Sequence, residues 1–135
     1  MSTRARVGIV NADKTVTSIY THHDGYISHH GPILLEHYDT EAEVRKLLAL
    51  GDLSRLTGDL GDTHNFDTSY HTHPDWCCAY GRDRGSESKA HTGELIDFPG
   101  EEYNYLFRNN KWEVSQDCID WRDLTLEVVT ERLTS

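Results

Sequence analysis

Apolar and polar positions alternate over residues 3–11, with Ala5, Val7 and Ile9 on one side and Arg4, Arg6 and Gly8 on the other. A period of two is the signature of a half-buried strand. Residues 11–14 supply turn types and residues 15–20 are rich in β-branched side chains, so the two runs predict a hairpin. Residues 21–31 are polar and rich in histidine, which predicts a loop. Pro32 then suits the first turn of a short helix that buries Ile33, Leu34, Leu35 and Tyr38. A second helix carries clearer signals. Thr40 and Glu43 have capping-box spacing, Val44, Leu47 and Leu48 form the apolar stripe, and Gly51 stands where a C-terminal cap belongs.

Residues 52–75 have few apolar positions and predict mostly loop, followed by a short aromatic strand over 76–80 and an exposed polar stretch over 81–100. Two strands at 103–108 and 111–116 flank Asn109-Asn110, a pair suited to the positive φ of a two-residue turn. That register puts Phe107 opposite Trp112 and Tyr105 opposite Val114. Residues 123–133 fit either a helix or a strand. The fold class expected is α+β: an antiparallel sheet of about five strands with two to three helices packed on one face, in a single domain over residues 1–135.

Composition narrows the function classes. The chain has 135 residues and 36% hydrophobic content, enough for one core. No run approaches the ~18 apolar residues of a membrane span, and no secretory signal is visible, so the expected location is the cytoplasm. Cys77 and Cys78 are adjacent and Cys118 stands alone, a poor disulfide framework that reads as three small hydrophobes. Lys+Arg is 13 against Asp+Glu 23, a net charge of −10. Residues 21–69 hold nine acids against three bases, or −6. Direct binding to duplex DNA needs the opposite sign, whereas an acidic face suits a basic protein partner.

Eight of the nine histidines gather in two groups, 22–37 and 64–73. His71, His73 and Cys77 or Cys78 are metal-ligand types, but no spacing matches a zinc ribbon, a zinc finger or a His-Glu-x-x-His helix. Metal and cofactor therefore stay unassigned. No Gly-x-Ser-x-Gly elbow or phosphate-cradling loop accompanies the histidines, so no residue is assigned as catalytic. Arg82 and Arg84, between two glycines, either grip an anion or bridge to nearby acids. Tyr26 and Trp76, beside polar loops, are either binding aromatics or plugs at the core edge.

Thr3-Arg4, Val7-Gly8-Ile9, Thr17-Ser18-Ile19-Tyr20, Asp24-Gly25-Tyr26, Leu34-Leu35-Glu36-His37-Tyr38 and Gly81-Arg82-Asp83-Arg84-Gly85 together resemble a family of small bacteriophage- and prophage-encoded proteins without an assigned activity. The resemblance is close over the first ~55 residues and the Gly-Arg-Asp-Arg-Gly turn, and looser beyond. It implies a viral accessory protein in the host cytoplasm. The expected function is non-enzymatic: binding and inhibiting a host nucleic-acid-binding factor, such as a CRISPR effector or a restriction enzyme, by acidic mimicry of nucleic acid. The partner-binding residues expected are Asp24, Tyr26, Glu36, Asp39, Glu41, Glu43, Arg82 and Arg84. Two alternatives are a small-ligand or metal-binding domain using loop His and Arg residues, and a small hydrolase using His and Asp of the 22–30 loop. An exposed sheet edge would also permit a homodimer.

Overall fold

A computed structural model describes residues 3–86 and 88–125. The hairpin expected at the N-terminus forms as β1 (Ala5–Val10) and β2 (Thr15–Thr21), paired antiparallel with Val7 opposite Ile19. The turn closes through Asp13, whose carboxylate accepts from Thr15 N–H at 3.0 Å. Ala5, Val7 and Ile9 are buried, as the alternation required, but Arg6 and Gly8 are buried too. The strand expected to be half-buried is therefore covered on both faces, and Arg6 Nε donates to Ser18 Oγ at 2.9 Å.

The first helix is longer than expected. α1 (Ile27–His37) starts five residues before Pro32, so the loop expected over 21–31 ends at Tyr26. Ile27, His30, Gly31 and Leu34 are buried, a spacing of three, four and seven that marks one helical face. His30 extends the stripe, and a reading that counts histidine as polar cannot see it. α2 (Glu41–Leu48) follows, with Thr40 Oγ1 accepting from Glu43 N–H at 3.2 Å and Val44, Leu47 and Leu48 inward. Gly51 ends the connection at φ 75°.

The C-terminal hairpin is β6 (Tyr103–Arg108) with β7 (Lys111–Ser115), in the expected register: Phe107 faces Trp112 and Tyr105 faces Val114. Asn109 and Asn110 take φ of 54° and 60°. Four short strands complete the sheet: β3 (Leu53–Arg55), β4 (Cys78–Ala79), β5 (His91–Glu94) and β8 (Arg122–Asp123).

The resulting sheet corrects the expectation of about five antiparallel strands. Among the described residues it has eight, in the order β4-β3-β2-β1-β6-β7-β8, with β5 on β2 beside that path. It is mixed, because β1 runs parallel to β6 and β2 parallel to β3. Strands of two to four residues are too short to show a period, and pairing between distant segments leaves no local pattern. The short edge strands β4 and β8 offer little ladder to a second chain. Two more short helices, α3 (Ser69–Thr72) and α4 (Tyr80–Arg84), lie in stretches expected to be loop or exposed coil. The strand expected over 76–80 shrinks to β4, because Tyr80 already begins α4. Residues 126–133 of the expected tail element lie outside the described residues.

The main core sits between the sheet and α1–α2. Leu34, Val44 and Leu47 meet Val7, Ile19, Tyr105, Phe107 and Trp112, all at most 2% exposed. Burying each such side chain stabilises the fold by roughly 1.5–3 kcal/mol. Trp112 Nε1 donates to the Tyr38 carbonyl at 2.8 Å, and Tyr105 Oη donates to the Gly25 carbonyl at 2.7 Å, so both ends of α1 are fastened to the hairpin. Among the described residues no helix is long and apolar enough to cross a membrane.

Candidate functional site

Residues 56–84 carry little regular structure, and side chains hold them in place. Gly61, at φ 65°, leaves room for the Trp76 ring; a Cβ there would lie 2.4 Å from it. His73 stacks flat on Trp76 at 4.0 Å, and His64 meets both rings edge-on. Asn65 Oδ1 accepts from Thr68 N–H at 3.1 Å and sets up α3, which stops at His73 because Pro74 follows. α4 stops at Gly85, in the left-handed conformation.

At the centre of this region lies Asp83, whose side chain is fully buried. Arg82 grips it through Nε at 2.9 Å and Nη2 at 3.1 Å, and the N–H groups of Ala79 and His64 donate at 2.8 and 3.2 Å. Burial raises the pKa of Asp83, but the Arg82, Ala79 and His64 hydrogen bonds outweigh it and hold the carboxyl below its usual range. Arg82 also donates to the carbonyls of Leu60, Gly61 and Cys77. Of the two roles open to Arg82 in the sequence, this is the bridge to an acid.

Next to Asp83 the His64 imidazole is almost enclosed, with 4% of its side chain exposed. Its Nδ1 lies 2.7 Å from the Asp62 carbonyl and 3.4 Å from Asp83 Oδ1. A carbonyl only accepts, so Nδ1 carries the proton and Nε2 is the free acceptor. Ser69 Oγ is 2.6 Å from Nε2 and therefore donates to it. The same oxygen accepts from Arg55 Nη2 at 2.9 Å. Arg55 Nη2 also reaches the carbonyls of His73 and Trp76, at 2.9 and 2.8 Å, while its buried Nε has no acceptor. Cys78 completes the cluster; burial raises its thiol pKa, opposed in part by Ser69 and Arg55.

Ser69, Arg55 and Cys78 face a cavity of about 300 Å³, which His23, Asp24, Phe66, Asp67 and Tyr70 also line. A larger open groove of about 840 Å³ lies on the other side of Arg55, lined by His29, His37, Glu43, Lys46, Asp59 and Asp75 among others.

Donor atoms of His64, Cys78 and Asp83 lie within 4.8 Å of one another. They fit a cation poorly. Both Asp83 oxygens already accept two hydrogen bonds each, and the Arg82 guanidinium occupies the place of the positive charge.

The expected partner-binding residues fall into three places. Glu36, Asp39, Glu41 and Glu43 surround the corner between α1 and α2; the first three are exposed and Glu43 pairs with Lys46 at 3.5 Å. Asp24 and Tyr26 lie at the opposite end of α1, about 15 Å away by helical rise, with Tyr26 39% exposed. Arg82 and Arg84 belong to α4, where Arg84 is exposed and its guanidinium carbon lies 5.3 Å from the Phe66 ring centroid. The histidines are spread over three places: His29 and His37 line the groove, His23 lines the cavity at Ser69, and His64 and His73 pack around Trp76. Ser69 and Arg55 were not singled out in the sequence, and no motif there marks them.

No family model, no curated protein and no solved structure matches this chain.

Proposed function

We propose that the chain acts by docking an acidic surface on a basic, nucleic-acid-binding host protein and occupying the place of the nucleic acid. The observation that supports this is the set of carboxylates at one groove. Glu43, Asp59 and Asp75 line it, and Glu36, Asp39 and Glu41 stand exposed on the adjoining corner of α1 and α2. The bases there are largely engaged: Lys46 with Glu43, Arg45 with Glu41, and Arg55 with Ser69 and two carbonyls. A framework that holds exposed carboxylates in fixed positions loses little side-chain and backbone freedom on binding. The resemblance to phage accessory proteins supplies the setting, a host defence effector such as a CRISPR nuclease or a restriction enzyme. The site in this reading is the corner and the groove; Asp24 and Tyr26, at the other end of α1, and Arg84, on α4, stand apart from it.

The test is binding of the purified chain to the captured host protein at rising salt, with duplex DNA as competitor. Asp39, Glu41 and Glu43 changed together to Lys are expected to weaken binding at least tenfold with an unchanged circular dichroism spectrum. Binding that survives the triple change, or that DNA does not compete, overturns the reading.

A further inference from the structure

We propose that Ser69 is an activated serine nucleophile that takes an acyl group from a small carboxylic ester entering the 300 Å³ cavity. It concerns the cavity rather than the α1–α2 corner and the groove, and shares only Arg55 with the groove's lining.

Three geometric facts carry the proposal. The hydroxyl of Ser69 lies 2.6 Å from an imidazole nitrogen that is available to accept its proton. The tautomer that makes it available is enforced from the far side of the ring, where Nδ1–H is held by the Asp62 carbonyl. A serine and a correctly oriented imidazole are the working pair of covalent acyl transfer. The third fact is Arg55. Its Nη2 donates to the nucleophile's own oxygen, so a positive charge stands where alkoxide character develops. Its Nε–H is buried without an acceptor, a donor in place for an added oxygen. Asp83 Oδ1 lies 3.4 Å from Nδ1 and is shared with the Arg82 guanidinium.

The chemistry is balanced without a cofactor. Ser69 Oγ adds to the ester carbonyl carbon as its proton passes to His64 Nε2. The adduct collapses to an acyl-serine, and the leaving alkoxide takes the proton from His64 and departs as the alcohol. Water, losing a proton to the same nitrogen, then adds to the acyl carbon, and the adduct expels Ser69 Oγ, which takes that proton back from His64 as the carboxylic acid leaves. Ser69 is only 1% exposed and is reached through a cavity lined by Phe66 and Tyr70, so the acyl group must be short.

The experiment treats the 135-residue chain with an alkyl fluorophosphonate, which a reactive serine attacks at phosphorus with loss of fluoride, and maps the adduct by mass spectrometry. One adduct per chain on Ser69 is expected, absent from the urea-unfolded protein and from Ser69→Ala. His64→Gln is expected to slow labelling at least tenfold, and p-nitrophenyl acetate should give a burst of one p-nitrophenol per folded chain. The wild-type measurements need no variant to fold. No adduct under conditions that label trypsin completely, an adduct elsewhere, or equal labelling of the unfolded chain overturns the proposal.

Discussion

His30 Nε2 and Thr21 Oγ1 lie 2.8 Å apart, both wholly buried, where α1 crosses the end of β2. The Thr21 hydroxyl points to the Ala5 carbonyl at 3.4 Å, so His30 donates from Nε2 and keeps Nδ1 bare. Burial, with the neighbouring His29 adding to it, pushes the His30 pKa down to about 3. The folded protein thus keeps this ring neutral while the unfolded chain protonates it near 6.5.

The linkage has a definite sign. Below pH 6.5 the unfolded state binds the extra proton, so stability falls as pH drops from 6.5 towards about 3. At pH 5 the loss is about 2 kcal/mol relative to neutral pH. His30→Leu removes this titration, and urea unfolding at pH 7 and pH 5 should show a difference about 2 kcal/mol smaller in the variant. Equal pH dependence in the two proteins would mean that His30 is not the group responsible.

Gly51 and Gly85 both adopt positive φ, at 75° and 81°, and separate two costs that usually come together. A Cβ on Gly51 would lie 2.2 Å from the Ser88 carbonyl oxygen, whereas one on Gly85 meets nothing within 4 Å. Gly85→Ala should therefore cost only the left-handed conformation, about 1 kcal/mol, and Gly51→Ala about 3 kcal/mol. Thermal unfolding of the two variants side by side checks the ranking; similar losses would contradict the close approach of Ser88 to Gly51.

Arg82→Lys keeps the charge beside Asp83 but not the fork. The variant should lose about 2 kcal/mol, because carbonyls of Leu60, Gly61 and Cys77 give up their donor together with one carboxylate bond. Hydrogen exchange locates the effect: the amides of His64 and Ala79, both bound to Asp83, should exchange faster while those of β1 and β6 do not change. Uniform acceleration across the sheet would show that Arg82 has a global rather than a local role.

These contrasts also mark what a linear reading reaches. The hairpin of Phe107 and Trp112 was legible because its signal is local: two alternating runs around a turn. The start of α1 was not, since the residue that carries its stripe back before Pro32 is a histidine whose Nε2 is bonded to Thr21 of another element. The exposed acids at the α1–α2 corner follow from a capped helix with a known inward stripe. The Ser69 cluster does not, because its members come from β3, a loop, α3, β4 and α4 and meet only when residues 56–84 fold back on themselves. His73, a metal-ligand type in the sequence, stacks instead on the Trp76 ring, and His64 meets that ring edge-on.

The parallel pairing of β1 with β6 sets an order on synthesis. β1 gains β2 as soon as the first hairpin leaves the ribosome, yet its other edge waits for residues 103–107, with all of 11–102 to be made in between. At ~5–20 residues per second that is roughly 5–20 seconds during which a hydrophobic strand has an open side. During that time the second edge of β1 is open to pairing with another chain, and a truncation before Tyr103 leaves it uncovered for good.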